Sequence, residues 1–154
     1  MQQFEAQLAW QRGTQPFLDK RYSRAHSWTF DGGLQVPASS SPLSVAVPMS
    51  DPAAVDPEEA LVAAVSSCHM LFFLSLAARD GHVVDHYRDH AVGTMSKNAD
   101  GKMAMTRIVL RPAIAFADGT HPDAARLGAL HHAAHAQCYI ANSITADVLV
   151  EGSA

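Results

Sequence analysis

Residues 55–81 read VDPEEALVAAVSSCHMLFFLSLAARDG, and this stretch predicts one long helix around which the rest of the chain folds. Asp56 is a good N-cap, Pro57 suits the first helical position, and Glu59 is placed to complete a capping box. Five apolar side chains fall within about 80° of one another at helical spacing, and the opposite side is also apolar or small. Such a helix is expected to be central, buried on nearly all sides, and terminated at Gly81. The five residues are Leu61, Val65, Cys68, Phe72 and Leu76.

A second helix is predicted from residues 120–123, THPD, which repeat the start signals of the first helix. Asn142-Ser143 is expected to break it. The chain contains only two cysteines, Cys68 and Cys138, and each lies on the apolar stripe of one helix. Whether the two side chains meet therefore separates thiol chemistry from simple packing. The stripe of the second helix consists of Leu127, Leu130, Ala134 and Cys138.

The segments around these helices have the patterns of β-strands. Alternation with period 2 predicts a strand near the N-terminus, and Asp31-Gly32 between two β-rich runs is typical of a hairpin. A long Ser- and Pro-rich loop over residues 38–55 follows, and long ordered loops often carry function. Antiparallel pairs separate the helices, so we predict one α+β domain over residues 1–154. The expected strand segments are 3–10, 24–30, 34–39, 86–96, 102–117 and 144–151.

Composition narrows the class of protein. The net charge is -4 and no run of like charges occurs, which argues against a nucleic-acid partner. Only 17% of the residues are charged against 48% hydrophobic, so we expect surface to be hidden in a homodimer. No unbroken apolar run is long enough to predict a membrane span, and the N-terminus does not resemble a secretory signal. We therefore expect a cytoplasmic protein, in which a permanent disulfide is improbable.

The two cysteines allow two interpretations. Free cysteines are often buried and most buried ones only pack, so packing is the simpler interpretation for each cysteine alone. A thiol reacts as its thiolate, and apolar surroundings suppress that form unless a cation is near. His69 is adjacent to Cys68 in sequence and points about 100° away along a helix, so it is a poor source of that charge. A reactive Cys68 would need a cation from elsewhere in the chain.

The two cysteine segments together resemble the OsmC/Ohr family of thiol-dependent peroxidases. The stretch from Val55 to Gly81 is similar to the central helix of that family, with a Pro-Glu start and a cysteine ten residues after Glu58. The stretch HHAAHAQCYIANS, which contains Cys138, is similar to the second cysteine segment. The likeness extends over essentially the whole chain. It implies an OsmC-like fold, with antiparallel sheets around a long buried central helix in an intertwined homodimer.

The resemblance also implies a reaction. Cys68 would attack an organic hydroperoxide and become a sulfenic acid, and Cys138 would then close a disulfide with it. A lipoyl-type dithiol would reduce that disulfide, and no cofactor is expected. The apolar surroundings of Cys68 would favour alkyl or fatty-acid hydroperoxides. The alternative is a protein of the same fold that binds an apolar ligand or a metal without catalysis.

Two further site residues follow from the resemblance. An arginine of the N-terminal β region would activate Cys68, and Arg24 is our choice ahead of Arg21 and Arg12. A guanidinium stays charged when buried and can hold a thiolate, a peroxide and a carboxylate. Glu58 would hold that guanidinium in place. Ten residues of straight helix span about 15 Å, so either the helix bends between Glu58 and Cys68 or the arginine moves between them.

Other features depart from the family or suggest alternatives. Tyr139-Ile140 follows Cys138 where one branch of the family often has Pro, and the loop after residue 38 lacks the Gly-rich character of that branch. His131, His135 and Cys138 have a spacing that could supply three ligands to zinc. That spacing is not a standard structural zinc pattern and no fourth ligand is evident. We therefore expect a surface histidine stripe and no metal.

Overall fold

The computed structural model describes residues 1–152, which form two compact units. The first unit is Met1–Ala60 and the second begins at Leu61. The prediction of a single domain stays a prediction. The elements of the described residues are β1 Ala6–Ala9, β2 His26–Phe30, β3 Gln35–Ala38, α1 Pro57–Arg79, β4 Val84–Asp89, β5 Val92–Lys97, β6 Met103–Leu110, β7 Pro112–Phe116, α2 Ala124–Gln137, a 3-10 turn Ala141–Ser143, and β8 Asp147–Val150.

The first unit contains the antiparallel sheet β1-β2-β3. The hairpin predicted around Asp31-Gly32 is confirmed, with Thr29 opposite Gln35. Gly33 adopts a φ of 83°, a conformation that favours glycine, and its N–H donates to the Phe30 carbonyl at 2.9 Å. The long loop that follows β3 closes on itself, since the Asp51 N–H donates to the Ser39 hydroxyl at 3.0 Å.

The second unit has two sheets, β4-β7 and β5-β6-β8. The prediction of one strand over 86–96 and another over 102–117 was wrong, because each run is interrupted and its two parts join different sheets. Asp89 ends β4, where the chain leaves the β4-β7 sheet for the β5-β6-β8 sheet. Its carboxylate accepts the Arg111 N–H at 2.6 Å, so a side chain replaces strand pairing where the chain changes sheets. Pro112, which lacks an N–H, begins the new strand there.

The last strand corrects the prediction of antiparallel sheets. β8 pairs parallel to β6, with Ile108 opposite Val148. Parallel neighbours need a crossover connection, and β7 together with α2 provides it. The alternating pattern of the last segment predicted a strand correctly, but the pattern carries no information about strand direction.

Helix α1 begins as the sequence predicts. The Glu59 N–H donates to the Asp56 carboxylate at 2.8 Å, and the Asp56 N–H donates to the Glu59 carboxylate at 3.4 Å. This reciprocal pair is a capping box. The helix then runs without interruption from Pro57 to Arg79. By length and composition alone α1 could cross a membrane, but the core helices of soluble proteins pass the same test.

The burial of α1 differs from the prediction of a helix enclosed on all sides. Cys68 and Phe72 of the predicted stripe are only half-buried, and Leu71 is 60% exposed. The buried face is rotated towards His69, and a central position of the helix is therefore not established by the single chain. The fully buried residues of α1 are Val65, His69, Phe73, Leu76 and Ala77.

Helix α2 ends one residue earlier than its apolar stripe suggests. Asp123 is its N-cap, and its carboxylate accepts the Arg126 N–H at 2.7 Å. Cys138 is the C-cap with an extended backbone, so it lies beyond the helix and not on its stripe. The prediction placed Cys138 inside the helix because apolar spacing cannot distinguish a last helical residue from a cap.

Two apolar clusters hold the second unit together. In the first, the aromatic ring of Phe73 on α1 packs with α2 and the β4-β7 sheet. In the second, Val65 on α1 packs with Ile108 and Leu110 of β6. The helix and the sheet approach closely at Gly93, where an added Cβ would lie 2.6 Å from Val62 Cγ2. The buried members of the first cluster are Phe73, Leu76, Ala77, Leu127, Leu130 and Ala134.

Candidate active site

The structure brings the two cysteines together. Cys68 lies on α1 and is half-buried, and Cys138 follows α2 and is fully buried. The Cys68 thiol lies close enough to the Cys138 thiol to raise the pKa of Cys138, which favours its protonated form. Both cysteines are reduced in this structure. Two residues separated by 70 positions in sequence are therefore neighbours in one core.

The environment of Cys138 keeps its thiol protonated. Burial, with a further contribution from the Cys68 thiol, raises the pKa of Cys138 to about 11. The Ala141 N–H points at the Cys138 sulfur at 3.4 Å and acts in the opposite direction. At neutral pH Cys138 is therefore a proton donor. Cys68 is the less buried of the two sulfurs, and so the one more accessible to a substrate.

The turn that carries Cys138 is fixed by Asn142. Its side-chain amide donates to the Ala136 carbonyl at 3.0 Å and to the Cys138 carbonyl at 3.0 Å. Sequence reasoning treated Asn142 as a helix breaker and as part of the second cysteine segment, and did not identify this capping role. An asparagine just beyond a helix can cap its last carbonyls, and that local signal could have revealed this function.

An aromatic contact lies beside the thiol pair. Phe72 is one helical turn beyond Cys68 on α1, and Tyr139 directly follows Cys138. Their rings meet edge to face with centroids 5.0 Å apart. Tyr139 remains 72% exposed, so this pair forms an apolar margin open to solvent next to the sulfurs.

Arg24 lies in the first unit, where its guanidinium is held by its own segment. It donates to the Lys20 carbonyl at 2.7 Å and also to the Tyr22 carbonyl, and it stacks over the Tyr22 ring at 3.9 Å. Arg24 is half-buried, whereas the competing Arg21 and Arg12 are exposed. Among the three arginines, Arg24 is therefore the least exposed to solvent. Its action on Cys68 stays a prediction.

Glu58 lies in the first turn of α1 and is half-buried. Among the described residues it forms no ion pair with Arg24, so the predicted pair is not assembled in this structure. The helix is unbroken between Glu58 and Cys68, which leaves about 15 Å between them along the axis. How one guanidinium could contact both residues stays a prediction.

The histidines correct the prediction of a surface stripe. His131 is only 4% exposed, and His135 is half-buried. His131 forms a hydrogen bond with His69, which is also buried, at 3.1 Å between Nδ1 and Nε2. No cluster of three metal-ligating side chains occurs in residues 1–152. Sequence reasoning missed His69 as a core residue, although it lies four residues from both Val65 and Phe73 on the buried face.

An open hollow of about 380 Å³ lies near the C-terminal end of α1. Its wall is mostly apolar. It contains neither cysteine, so it is not part of the thiol site. Its lining residues are Leu74, Ala78, Gly81, His82, Val83 and Val84.

Over residues 1–152 the fold and the site define an α+β protein with two α-helices, three sheets and a thiol pair where the two helices meet. A model of the OsmC-like protein family matches residues 50–152, so this chain belongs to the OsmC-like family. The resemblance stated from sequence and the α+β OsmC-like fold are thereby confirmed. A search of curated protein sequences finds no match.

Solved structures give the same family. An OsmC-like protein of unknown function from Vibrio cholerae is 49% identical, with a TM-score of 0.96 over 98% of this chain and 99% of that one. An organic hydroperoxide resistance protein OsmC from Legionella pneumophila is 15% identical, with a TM-score of 0.71 over 100% and 98%. The organic hydroperoxide resistance protein OhrB of Bacillus subtilis is 16% identical, with a TM-score of 0.67 over 98% of both chains. At such low identities the last two show the fold alone.

Proposed function

We propose that this protein is a thiol-dependent peroxidase that reduces organic hydroperoxides with Cys68 and Cys138. The observation that carries the proposal is the proximity of the two thiols, through which Cys68 raises the pKa of Cys138. Family membership supports it, since some structural neighbours are named organic hydroperoxide resistance proteins.

In the first step the Cys68 thiolate attacks one oxygen of the hydroperoxide. The S–O bond forms, the O–O bond breaks, and the alkoxide leaves as an alcohol after taking a proton. Cys68 is oxidised to a sulfenic acid and the hydroperoxide is reduced. The half-buried Cys68 and the apolar Phe72–Tyr139 margin favour an alkyl or fatty-acid hydroperoxide at this point.

In the second step Cys138 attacks the oxidised Cys68 sulfur. The S–S bond forms, the S–O bond breaks, and the Cys138 proton leaves with the hydroxyl group as water. The raised pKa of Cys138 keeps the resting thiol protonated, so its proton has to pass to the departing hydroxyl group as the sulfur attacks. A dithiol reductant of the lipoyl type then exchanges twice with the disulfide, releasing both thiols and a cyclic disulfide.

Arg24 and Glu58 complete the proposal. Arg24 would leave the Tyr22 ring and the backbone carbonyls that hold it, and would stabilise the Cys68 thiolate and the peroxide. Glu58, which has no ion-pair partner among the described residues, would anchor the guanidinium in that second position. Since about 15 Å of unbroken helix separates Glu58 from Cys68, we expect the arginine to move between the two residues.

A cytoplasmic homodimer is part of the same proposal. In the single chain, α1 leaves Leu71 exposed although the helix is strongly apolar. The first unit separately exposes several large apolar side chains. Exposed apolar surface of this kind marks an interface. The most exposed in that unit, apart from the terminal methionine, are Phe4, Leu8, Leu18, Leu34 and Leu43.

Two cysteine variants test the peroxidase. Cys68→Ser should abolish consumption of cumene hydroperoxide, because no nucleophile remains. Cys138→Ser should allow one turnover and then stop at a sulfenic acid that a dimedone probe captures. Ser67→Ala, which changes an exposed neighbour on α1, is the matched control and should retain full turnover. Steady-state turnover by Cys68→Ser would refute the proposal.

The hollow at the end of α1 favours a second candidate, an apolar-ligand carrier whose thiols only pack. Alkylation by iodoacetamide at neutral pH separates the two. The peroxidase requires Cys68 to react much faster than a free cysteine, and the carrier requires it to be slow. A Leu74→Trp variant would fill the hollow and should impair only the carrier.

A further inference from the structure

The contact between α1 and α2 contains a buried polar pair, His69 and His131, next to the apolar cluster of Phe73. His69 and His131 are 1% and 4% exposed, and their rings stack in parallel with centroids 5.4 Å apart. His69 Nε2 and His131 Nδ1 are 3.1 Å apart and share one hydrogen bond. The Phe73 ring also stacks on His131, with centroids 4.5 Å apart. The pair is thus enclosed by the core.

Two titratable groups outside the pair, Asp89 and His135, influence its imidazoles. The Asp89 carboxylate on β4 raises the pKa of both imidazoles, against the effect of burial. It accepts a hydrogen bond from the Ser66 hydroxyl of α1 at 2.5 Å. His135 on α2 has the opposite effect and lowers the pKa of His69. Burial lowers the pKa of His131 and lowers that of His69 to about 4, so both rings are neutral at pH 7. The contact is therefore a neutral N–H···N hydrogen bond and not an ion pair.

This hydrogen bond is expensive to bury. The remaining ring nitrogens, His69 Nδ1 and His131 Nε2, are buried without partners in the described residues. Each unsatisfied buried group destabilises the fold, whereas two apolar side chains of the same shape in these places can be neutral or stabilising. Stability alone therefore does not account for two histidines here. Unlike an apolar contact, a hydrogen bond requires a particular distance and direction, so it can fix one alignment of two helices.

The pair is placed where alignment matters for the cysteines. His69 directly follows Cys68 on α1, and His131 lies about two turns before Cys138. At the opposite end of the interface Arg126 of α2 pairs with Asp80, so the two helices run antiparallel. Sliding α2 by a single residue along α1 would shift its Cys138 end by about 1.5 Å.

We infer that His69 and His131 are positioning residues whose hydrogen bond holds α1 and α2 in the alignment at which Cys68 and Cys138 form a disulfide. This inference rests on the proposed role of the cysteines as a redox pair. Sulfur atoms must approach to about 2 Å with a restricted dihedral angle, so small misalignments reduce the tendency to form the bond. The pair therefore sets the equilibrium between dithiol and disulfide and does not react itself.

The test measures this equilibrium in glutathione buffers. Two protein thiols and one oxidised glutathione give the protein disulfide and two reduced glutathiones, so the step is balanced without peroxide. The double variant His69→Phe/His131→Leu removes both polar partners and should keep the fold. We expect its equilibrium constant for disulfide formation to fall at least tenfold, which is a shift of about 30 mV.

A conservative double variant serves as the rescue. His69→Gln/His131→Asn keeps amide groups near the positions of the two bonded nitrogens, and it should recover most of the wild-type equilibrium constant. His132→Gln, an exposed neighbour on α2, should leave the constant unchanged. An equilibrium constant within twofold of wild type in the apolar double variant would overturn the inference, as would failure of the wild type to form the disulfide.

The peroxide assay keeps this inference separate from the proposed function. If the wild type forms the disulfide in glutathione buffers and the apolar variant does not, the positioning role is upheld even when hydroperoxides are not consumed. If hydroperoxides are consumed equally well by both proteins and their equilibrium constants agree, the peroxidase is upheld and the positioning role is refuted.

Discussion

The interface between α1 and α2 has two halves that differ in composition. One half is apolar and contains Phe73, Leu76 and Leu130. The other half brings two cysteines close together and joins two histidines by a neutral hydrogen bond. Apolar contacts of the first kind stabilise a fold, whereas neutral buried polar groups contribute little net stability. The comparison suggests that the first half holds the helices together and the second half serves chemistry.

The largest expected effect belongs to the apolar half. Phe73→Ala removes a fully buried ring and should lower the free energy of unfolding by about 3–5 kcal/mol. Leu71→Ala is the matched control, because Leu71 lies on the same helix but is 60% exposed. Its effect on urea unfolding of the monomer should be below about 1 kcal/mol. Equal losses in the two variants would contradict the division of the interface.

The next largest effect is a loss of folding stability in acid, caused by the buried histidines of the polar half. The pKa of His69 is about 4 in the folded protein and 6.5 in the unfolded chain, so the unfolded chain binds more protons between these values. Stability is complete above pH 6.5 and falls as the pH falls towards 4, by about 3 kcal/mol for His69 alone.

Urea unfolding at several pH values checks this acid loss. The double variant His69→Phe/His131→Leu is the control and should lose much less stability over the same range. An identical acid dependence in both proteins would assign the effect to other groups.

Asn142→Ala should have a smaller effect on stability and a clear one on reactivity. It removes two hydrogen bonds to the turn of Cys138, worth about 1 kcal/mol each. In a Cys68→Ser background we expect faster alkylation of Cys138, because the turn opens more often. Thr145→Ala, at an exposed position beyond the turn, should not change that rate. Unchanged alkylation in Asn142→Ala would show that the turn is held by other contacts.

The smallest effect is expected at the far end of the interface. Arg126 pairs with Asp80 near the surface, and Arg126→Gln should cost less than about 1 kcal/mol. The loss should decrease further in high salt, which screens exposed charges. A loss as large as that of Phe73→Ala would mean that the ion pair, and not the apolar half, holds the helices together.

Local sequence signals determined where the helices begin and where the first hairpin turns. The capping box of Asp56 and Glu59, the hairpin at Asp31-Gly32 and the N-cap Asp123 depend on contacts between near neighbours, and all three are formed. The two cysteine segments were sufficient to identify the family. Such features are predictable because their energies depend on a few consecutive residues.

The tertiary structure alone decided the remaining features. The parallel pairing of β8 with β6, the burial of His69 against His131, and the meeting of Cys68 with Cys138 all join residues far apart in the chain. A periodic pattern shows that a residue faces a core but not which residue it meets there. Those partners are chosen by packing across elements, where alternative alignments differ by only a few contacts.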